Sequence, residues 1–256
     1  MSSNITRIDR VQTSQSHCQT CSLSSLCLPE SLQDDEVAKL DDIVSKRRPL
    51  HKGDSLFKQG DPFRSLFVIR AGSLKTFTLT QEGDEQINGF YFPGEIVGLA
   101  GVDDGFYPMS AMILETTSLC EIPYERLDEL TGQLPELRRS VMRSLGREIR
   151  DDQQMLMLLS RKTAEQRVAT FLLKLSSRYK ARGYSPTQFR LSMSRNEIGN
   201  YLGLAVETIS RIFTRFGAAK MIHAEGKSLD LLDLHALHLA SGDDHIEGCS
   251  HQINLG

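Results

Sequence analysis

Three cysteines fall within ten residues, Cys18-Gln19-Thr20-Cys21-Ser22-Leu23-Ser24-Ser25-Leu26-Cys27, with His17 before them and Pro29 after. A fourth, Cys120, lies far downstream, and a fifth, Cys249, sits in a polar tail. The C-x2-C-x5-C spacing lets two sulfurs turn toward one point while a third closes another corner of a tetrahedron. Sulfurs so placed suit a soft cation such as Zn2+ or an iron–sulfur cluster. Scattered free thiols or a disulfide pair are the plainer alternatives. Met1 to Arg10 has no apolar run of the secretory kind, and no stretch approaches the ~20 apolar residues a membrane helix needs. The expected setting is the cytosol, with no membrane partner, where clustered cysteines serve metal or redox chemistry.

A second constellation lies at Ser194-Arg195-Asn196-Glu197-Ile198-Gly199-Asn200-Tyr201-Leu202-Gly203-Leu204-Ala205-Val206-Glu207-Thr208-Ile209-Ser210-Arg211. Ser194 and Glu197 form a capping box, Gly203 marks a turn, and Ile198, Leu202, Leu204, Val206, Ile209 and Ile212 fit the buried positions of a helix-turn-helix. The polar face of the second helix carries Glu207, Ser210 and Arg211. Arg suits guanine O6/N7, Glu suits cytosine N4, and Ser suits several base edges. Charge agrees: residues 161–232 hold 13 Lys+Arg against 5 Asp+Glu, whereas residues 1–160 hold 17 against 24. A compact basic segment behind an acidic body expects a polyanion.

The elements that must position these groups follow from periodicity. Ser31–Glu36 opens a short helix through about Val44, with Leu32, Val37 and Leu40 on one stripe. From Arg47 to Pro123, glycines punctuate short apolar runs such as 65–70, 74–79 and 86–92. Many short strands in one block predict a jelly roll or barrel. Pro135 starts a helix that runs to about Ser160. Along it Met142, Leu145, Ile149, Asp152, Leu156 and Leu159 recur at gaps of three and four, a heptad seam for a parallel pair across a dimer axis. A seam buried within one subunit is the alternative. In a two-fold dimer Asp152 would face its own copy and repel it, with Arg143, Arg147 and Arg150 near enough to screen. Thr163 and Gln166 cap a further helix to about Tyr179, and 221–232 reads as a hairpin with Glu225-Gly226-Lys227 at its tip, followed by a short apolar helix after Asp233.

β-roll, long helix and winged helix in this order resemble the cAMP receptor protein/FNR family of bacterial transcription regulators. Cysteines at 18, 21, 27 and 120, together with Glu207-Thr208-Ile209-Ser210-Arg211, resemble its oxygen-sensing FNR branch, of the type found in pseudomonads. The resemblance implies an α+β chain: a cysteine-rich segment over 1–30, a cupin-like double-stranded β-roll over 31–134, a dimerisation helix over 135–160, a winged helix-turn-helix over 161–235 and a tail over 236–256. It implies a 4Fe–4S cluster on Cys18, Cys21, Cys27 and Cys120, converted by oxygen to 2Fe–2S with loss of the homodimer. It implies binding to double-stranded operators of the TTGAT-N4-ATCAA kind through Glu207, Ser210 and Arg211, with Thr208 and Arg195 beside them. RNA polymerase contacts are implied at Gly83 and Asp84 and at Thr116, Ser118 and Phe189.

Two departures bear on function. Gly94-Glu95 matches the turn that binds cyclic nucleotide elsewhere in the family, but Pro108-Met109-Ser110-Ala111 replaces the phosphate-binding Arg-Ser pair, so no cyclic nucleotide is expected. Lys220 replaces the glycine usual before the wing, which predicts a shifted or strained turn. No nucleophile–base pair or phosphate loop stands out. A cupin-type metal enzyme would need histidine and carboxylate ligands inside a roll whose histidine is His51, so no enzyme is expected.

Overall fold

The structure is a computed structural model that describes residues 18, 21, 27 and 32–242. Cys249, the tail beyond 242 and the expected helix start at Ser31 lie outside the described residues. Helix α1 (Asp34–Ile43) begins where Gln33 and Glu36 cap each other reciprocally, and Asp34, Asp35 and Glu36 occupy the first turn, where the helix dipole favours them. It buries Val37 and Leu40.

Eight strands follow: β1 (Ser45–Lys46), β2 (Ser55–Phe57), β3 (Ser65–Ala71), β4 (Leu74–Leu79), β5 (Glu85–Tyr91), β6 (Ile96–Val97), β7 (Ser110–Ile113) and β8 (Ser118–Pro123). They form two antiparallel four-stranded sheets, ordered β1-β8-β3-β6 and β2-β7-β4-β5. Phe67, Ile69, Leu74, Ile113 and Leu119 fill the space between them. The β3–β4 turn needs Gly72: its φ is 86°, and a Cβ there would stand 2.4 Å from Thr117 Oγ1.

Helix α2 (Tyr124–Gln133) was not expected from the sequence. Its buried pair, Leu127 and Leu130, makes too short a stripe to stand out beside the strand block. Helix α3 (Pro135–Arg161) follows with Pro135 in its first turn, as predicted.

The remainder is a winged helix. Helix α4 (Ala164–Ala181) opens on the Thr163–Gln166 capping box. Strand β9 (Gln188–Arg190), unexpected from the sequence, completes a three-stranded sheet with β10 (Ile222–Glu225) and β11 (Ser228–Leu231), in the order β10-β11-β9. Between them stand α5 (Arg195–Leu202) and α6 (Val206–Ala218), and α7 (Leu234–Ser241) packs back on α4.

The roll and the winged helix share one apolar core. Phe77, Ile87, Phe90 and Phe92 pack with Phe171, Leu172, Leu202 and Phe213 in a single cluster. This explains why β4 lacks a clean alternation: its first four residues are all buried, with a bulge between Thr76 and Phe77. Lys75, only 6% exposed, is held by Glu85 at 2.6 Å and by Glu197 of α5 at 3.2 Å. Asn200 of α5 completes the edge of β5, accepting the Ile87 N–H at 2.7 Å and donating to the Glu85 carbonyl at 2.6 Å.

Candidate functional site

The four described cysteines are free thiols and line one cavity of about 80 Å3. By the same measure one water needs only about 10–15 Å3. Cys120 projects from β8, paired with Lys46 of β1 and Val68 of β3. The Cys18 N–H donates to Asp41 Oδ1 of α1 at 2.8 Å, and the Cys21 N–H to the Cys18 carbonyl at 3.3 Å. Leu66, Val68, Ile96 and Ile122 supply an apolar wall, and Leu137, Ser140 and Val141 bring the first turns of α3 to the cavity.

The sulfurs ring the cavity without meeting at a point. Among the described residues, no three His, Cys, Asp or Glu side chains are grouped to hold a metal ion. Four soft donors around a space several times the size of a water fit a group larger than one ion, such as an iron–sulfur core. Burial, with Asp41 next, pushes the Cys18 thiol up to about 12, and burial with Cys21 and Cys120 pushes Cys27 up to about 12. Burial also raises Cys120, opposed by Arg70 and Lys46. Arg70, which sequence reasoning missed, lines the cavity with the thiols. Its place is set by strand pairing rather than by any local motif.

The second site is the helix-turn-helix. Ser194 caps α5 by accepting the Glu197 N–H, and Gly203 ends it at φ 63°. Gly199 is required by close packing, since a Cβ there would lie 2.6 Å from the Leu204 carbonyl oxygen. Helix α6 buries Ile209, Ile212, Phe213 and Phe216, and presents Glu207, Ser210, Arg211 and Thr214 to solvent. Thr214 extends the expected polar trio by one turn. Thr208 accepts from Arg211 Nη2 at 3.3 Å. Arg195 is placed differently from expectation: its guanidinium lies 3.3 Å from the centre of the Phe213 ring, Nη1 is buried with no hydrogen-bond partner, and burial lowers its pKa to about 10. Stacked there, Arg195 braces α6 from the first turn of α5.

On α3 the expected seam divides. Met142, Ile149 and Leu156 are 60%, 59% and 69% exposed, so they are not buried within one subunit. Leu145 and Leu159 lean partly onto the cores of their own chain. Asp152 is mostly exposed, and its pKa is raised by partial desolvation and then by Asp151, with Lys174 opposing. Within the chain, Lys174 of α4, which pairs with Asp151 at 3.1 Å, is a cation that acts on Asp152. Beside it, burial and Asp152 raise Glu148 to about 6.

Gly83 and Asp84 form the tip of the β4–β5 hairpin, where the Asp84 N–H donates to Thr80 Oγ1 at 3.1 Å. Thr116 and Phe189 border a separate groove, and Ser118 opens β8 beside it. Phe189 is 9% exposed and stacked on Tyr179 at 4.6 Å, so its ring forms part of the groove's wall rather than a free contact. Lys220 holds φ at 55°, the one positive φ outside glycine among the described residues. The turn is strained, not shifted.

A β-roll followed by a long helix and a winged helix with an open recognition face defines a DNA-binding regulator of transcription. Residues 47–133 match the cyclic nucleotide-binding domain and residues 166–239 the Crp-like helix-turn-helix domain. The chain is 63% identical over 219 residues to the transcriptional activator protein anr of Pseudomonas aeruginosa, covering 86% of this chain and 90% of that protein. It is 47% identical to the fumarate and nitrate reduction regulatory protein of Escherichia coli, covering 88% and 90%. Among solved structures, FixK2 from Bradyrhizobium japonicum superposes with a TM-score of 0.72 at 25% identity, over 79% of this chain and 100% of that one. The chain belongs to the CRP/FNR family of transcription regulators, and within it to the activators of the FNR/Anr type. No helix among the described residues is long and apolar enough to cross a membrane.

Proposed function

We propose that this activator responds to oxygen through a 4Fe–4S cluster held by Cys18, Cys21, Cys27 and Cys120, and that the loaded chain binds palindromic operators of the TTGAT-N4-ATCAA kind as a homodimer. The observation that carries this reading is the four-thiol cavity with α3 in its wall. When bound, such a group supplies an oxygen-labile crosslink among four thiolates. Cys120 ties that crosslink to β8, and the other three tie the N-terminal segment to it. Val141 lines the cavity one residue before Met142, the first seam position. A change in the cavity wall therefore reaches α3 at the start of its exposed apolar row. That row requires a cover, and a second copy offers the same row across a two-fold axis. Two half-sites a helical turn apart then need both subunits.

Glu207, Ser210 and Arg211 read bases in this account, and contacts to RNA polymerase fall on the Gly83–Asp84 tip and around Thr116 and Ser118. Cyclic nucleotide is not the signal: the Glu95 carboxylate is taken up by two arginines and the Phe92 N–H. The test is anaerobic purification with iron and sulfide assays, followed by a gel shift before and after air. Brown, iron-bearing protein that loses its operator in air is expected. Colourless, zinc-bearing protein with unchanged affinity would leave a family member whose cysteines are structural and sense nothing.

A further inference from the structure

The DNA-binding domain is bolted to the turn that borders the cysteine cavity. Glu95 accepts from Arg178 Nε at 3.0 Å, from Arg178 Nη2, from Arg182 Nη2 and from the Phe92 N–H at 3.0 Å. Arg178 also donates to the Phe90 carbonyl at 2.7 Å, and Arg182 donates to the Pro93 carbonyl at 2.6 Å. Both guanidinium groups lie over the Phe92 ring, at 4.6 and 6.0 Å. Four donors on one carboxylate, three of them from a largely buried arginine pair, make a rigid joint. Both arginines belong to the C-terminal end of α4 or its cap, so the joint fixes the winged helix to the roll.

Successive residues of one short segment face the two sites. Glu95 turns to the arginines, while Ile96 lines the cysteine cavity and pairs with Val68, which lines it too. The Glu95 carbonyl accepts the Ile69 N–H at 3.2 Å, next to Arg70 in the cavity wall. A group held among the cysteines would lie against Ile96, the residue that follows Glu95, and its departure would uncover that wall of the cavity.

Resting on the cluster reading above, we infer that Glu95, Arg178 and Arg182 form a relay within one chain, through which the cysteine site sets the orientation of its own DNA-binding domain independently of dimer formation. Arg182 and Glu95 are positioning residues in this relay, not ligands.

Hydrogen–deuterium exchange on iron-loaded and iron-depleted full-length protein tests this, with iron content and sedimentation recorded on the same samples. In the native chain, amides of residues 94–96 and 178–182 should exchange at least tenfold faster once iron is removed. Glu95→Gln should keep iron and dimer, bind operator at least tenfold more weakly, and exchange fast in both states. Arg182→Lys, which retains the charge but loses the planar fork, should show the same loss of iron-dependence and provides a second reading if Glu95→Gln folds poorly. A merely structural role would lower stability without abolishing the difference between the two states. Iron-loaded native protein whose exchange in these segments ignores iron removal overturns the relay, as do variants that keep both the difference and full operator affinity. Native protein without iron overturns the cluster reading first, and the relay with it.

Discussion

Lys220 closes α6 in a Schellman turn, with the Met221 N–H reaching the Phe216 carbonyl at 2.9 Å and the Lys220 N–H the Gly217 carbonyl at 3.0 Å. Its side chain is exposed, so the conformation brings no compensating contact into the core. A β-carbon at φ 55° costs about 1–2 kcal/mol. Lys220→Gly should raise stability by about 1 kcal/mol, after the greater freedom glycine gives the unfolded chain is deducted. Urea denaturation should show a higher midpoint with an unchanged slope, and a lower midpoint would mean the lysine makes an interaction that outweighs the strain. At the same scale, Gly199 and Gly72 are needed for space, because a Cβ at either meets backbone or a buried hydroxyl.

In the proposed homodimer, helix α3 is the element on which association turns. Its exposed row of Met142, Ile149 and Leu156 favours pairing, while Asp152 interrupts the row and Glu148 adds a second carboxylate beside it. Facing Glu148 are Tyr91 of β5, whose hydroxyl donates at 3.4 Å, and the carboxylates of Asp151 and Asp152. Lys174 of α4 is the nearby cation acting on Asp152. Because folding raises both carboxyl pKa values, the folded chain holds protons that the unfolded chain releases. That contribution is complete below the ordinary carboxylate pKa and is lost as pH rises through about 6, the value for Glu148. In the proposed two-fold pair the ionised carboxylates of the two copies would also repel each other, so iron-free protein should associate more strongly at pH 5.5 than at pH 7.5. Asp152→Ala should strengthen the iron-free dimer at pH 7.5 and flatten the profile. Sedimentation equilibrium that finds the same association for parent and variant would remove the carboxylates from any role in the seam.

Across the whole molecule, Cys120 is the cysteine that joins the distant halves of the site. Cys120→Ser removes one thiolate from β8 and leaves the roll's packing almost unchanged, since serine is slightly smaller and the position is only partly buried. Anaerobically prepared Cys120→Ser should lack visible absorbance, sediment as a monomer and bind the operator at least 100-fold more weakly. Retention of iron at the native level would show that the N-terminal trio suffices.

Much of this architecture was legible one element at a time. Glycine-bounded runs announced the roll, Pro135 and apolar residues at gaps of three and four announced α3, and capping boxes at Thr163 and Ser194 located two helix starts to the residue. Those signals are local, set by turn chemistry and by periodicities of 2 and 3.6 residues. The short helix α2 and strand β9 were not legible, because ten and three residues carry too little pattern of their own. Nor could sequence show that Arg195 stacks on Phe213, that Lys174 of α4 acts on Asp152, or that Phe189 is walled in. Each depends on which surfaces two domains bring together. The sequence alone determined the donor types, the exposed polar face of α6 and the order of roll, long helix and winged helix. Only the tertiary structure decided that four thiols share one cavity with α3, and that Glu95 is spent on two arginines of the neighbouring domain. Chain folding sets those distances over separations of about a hundred residues, where no spacing rule reaches.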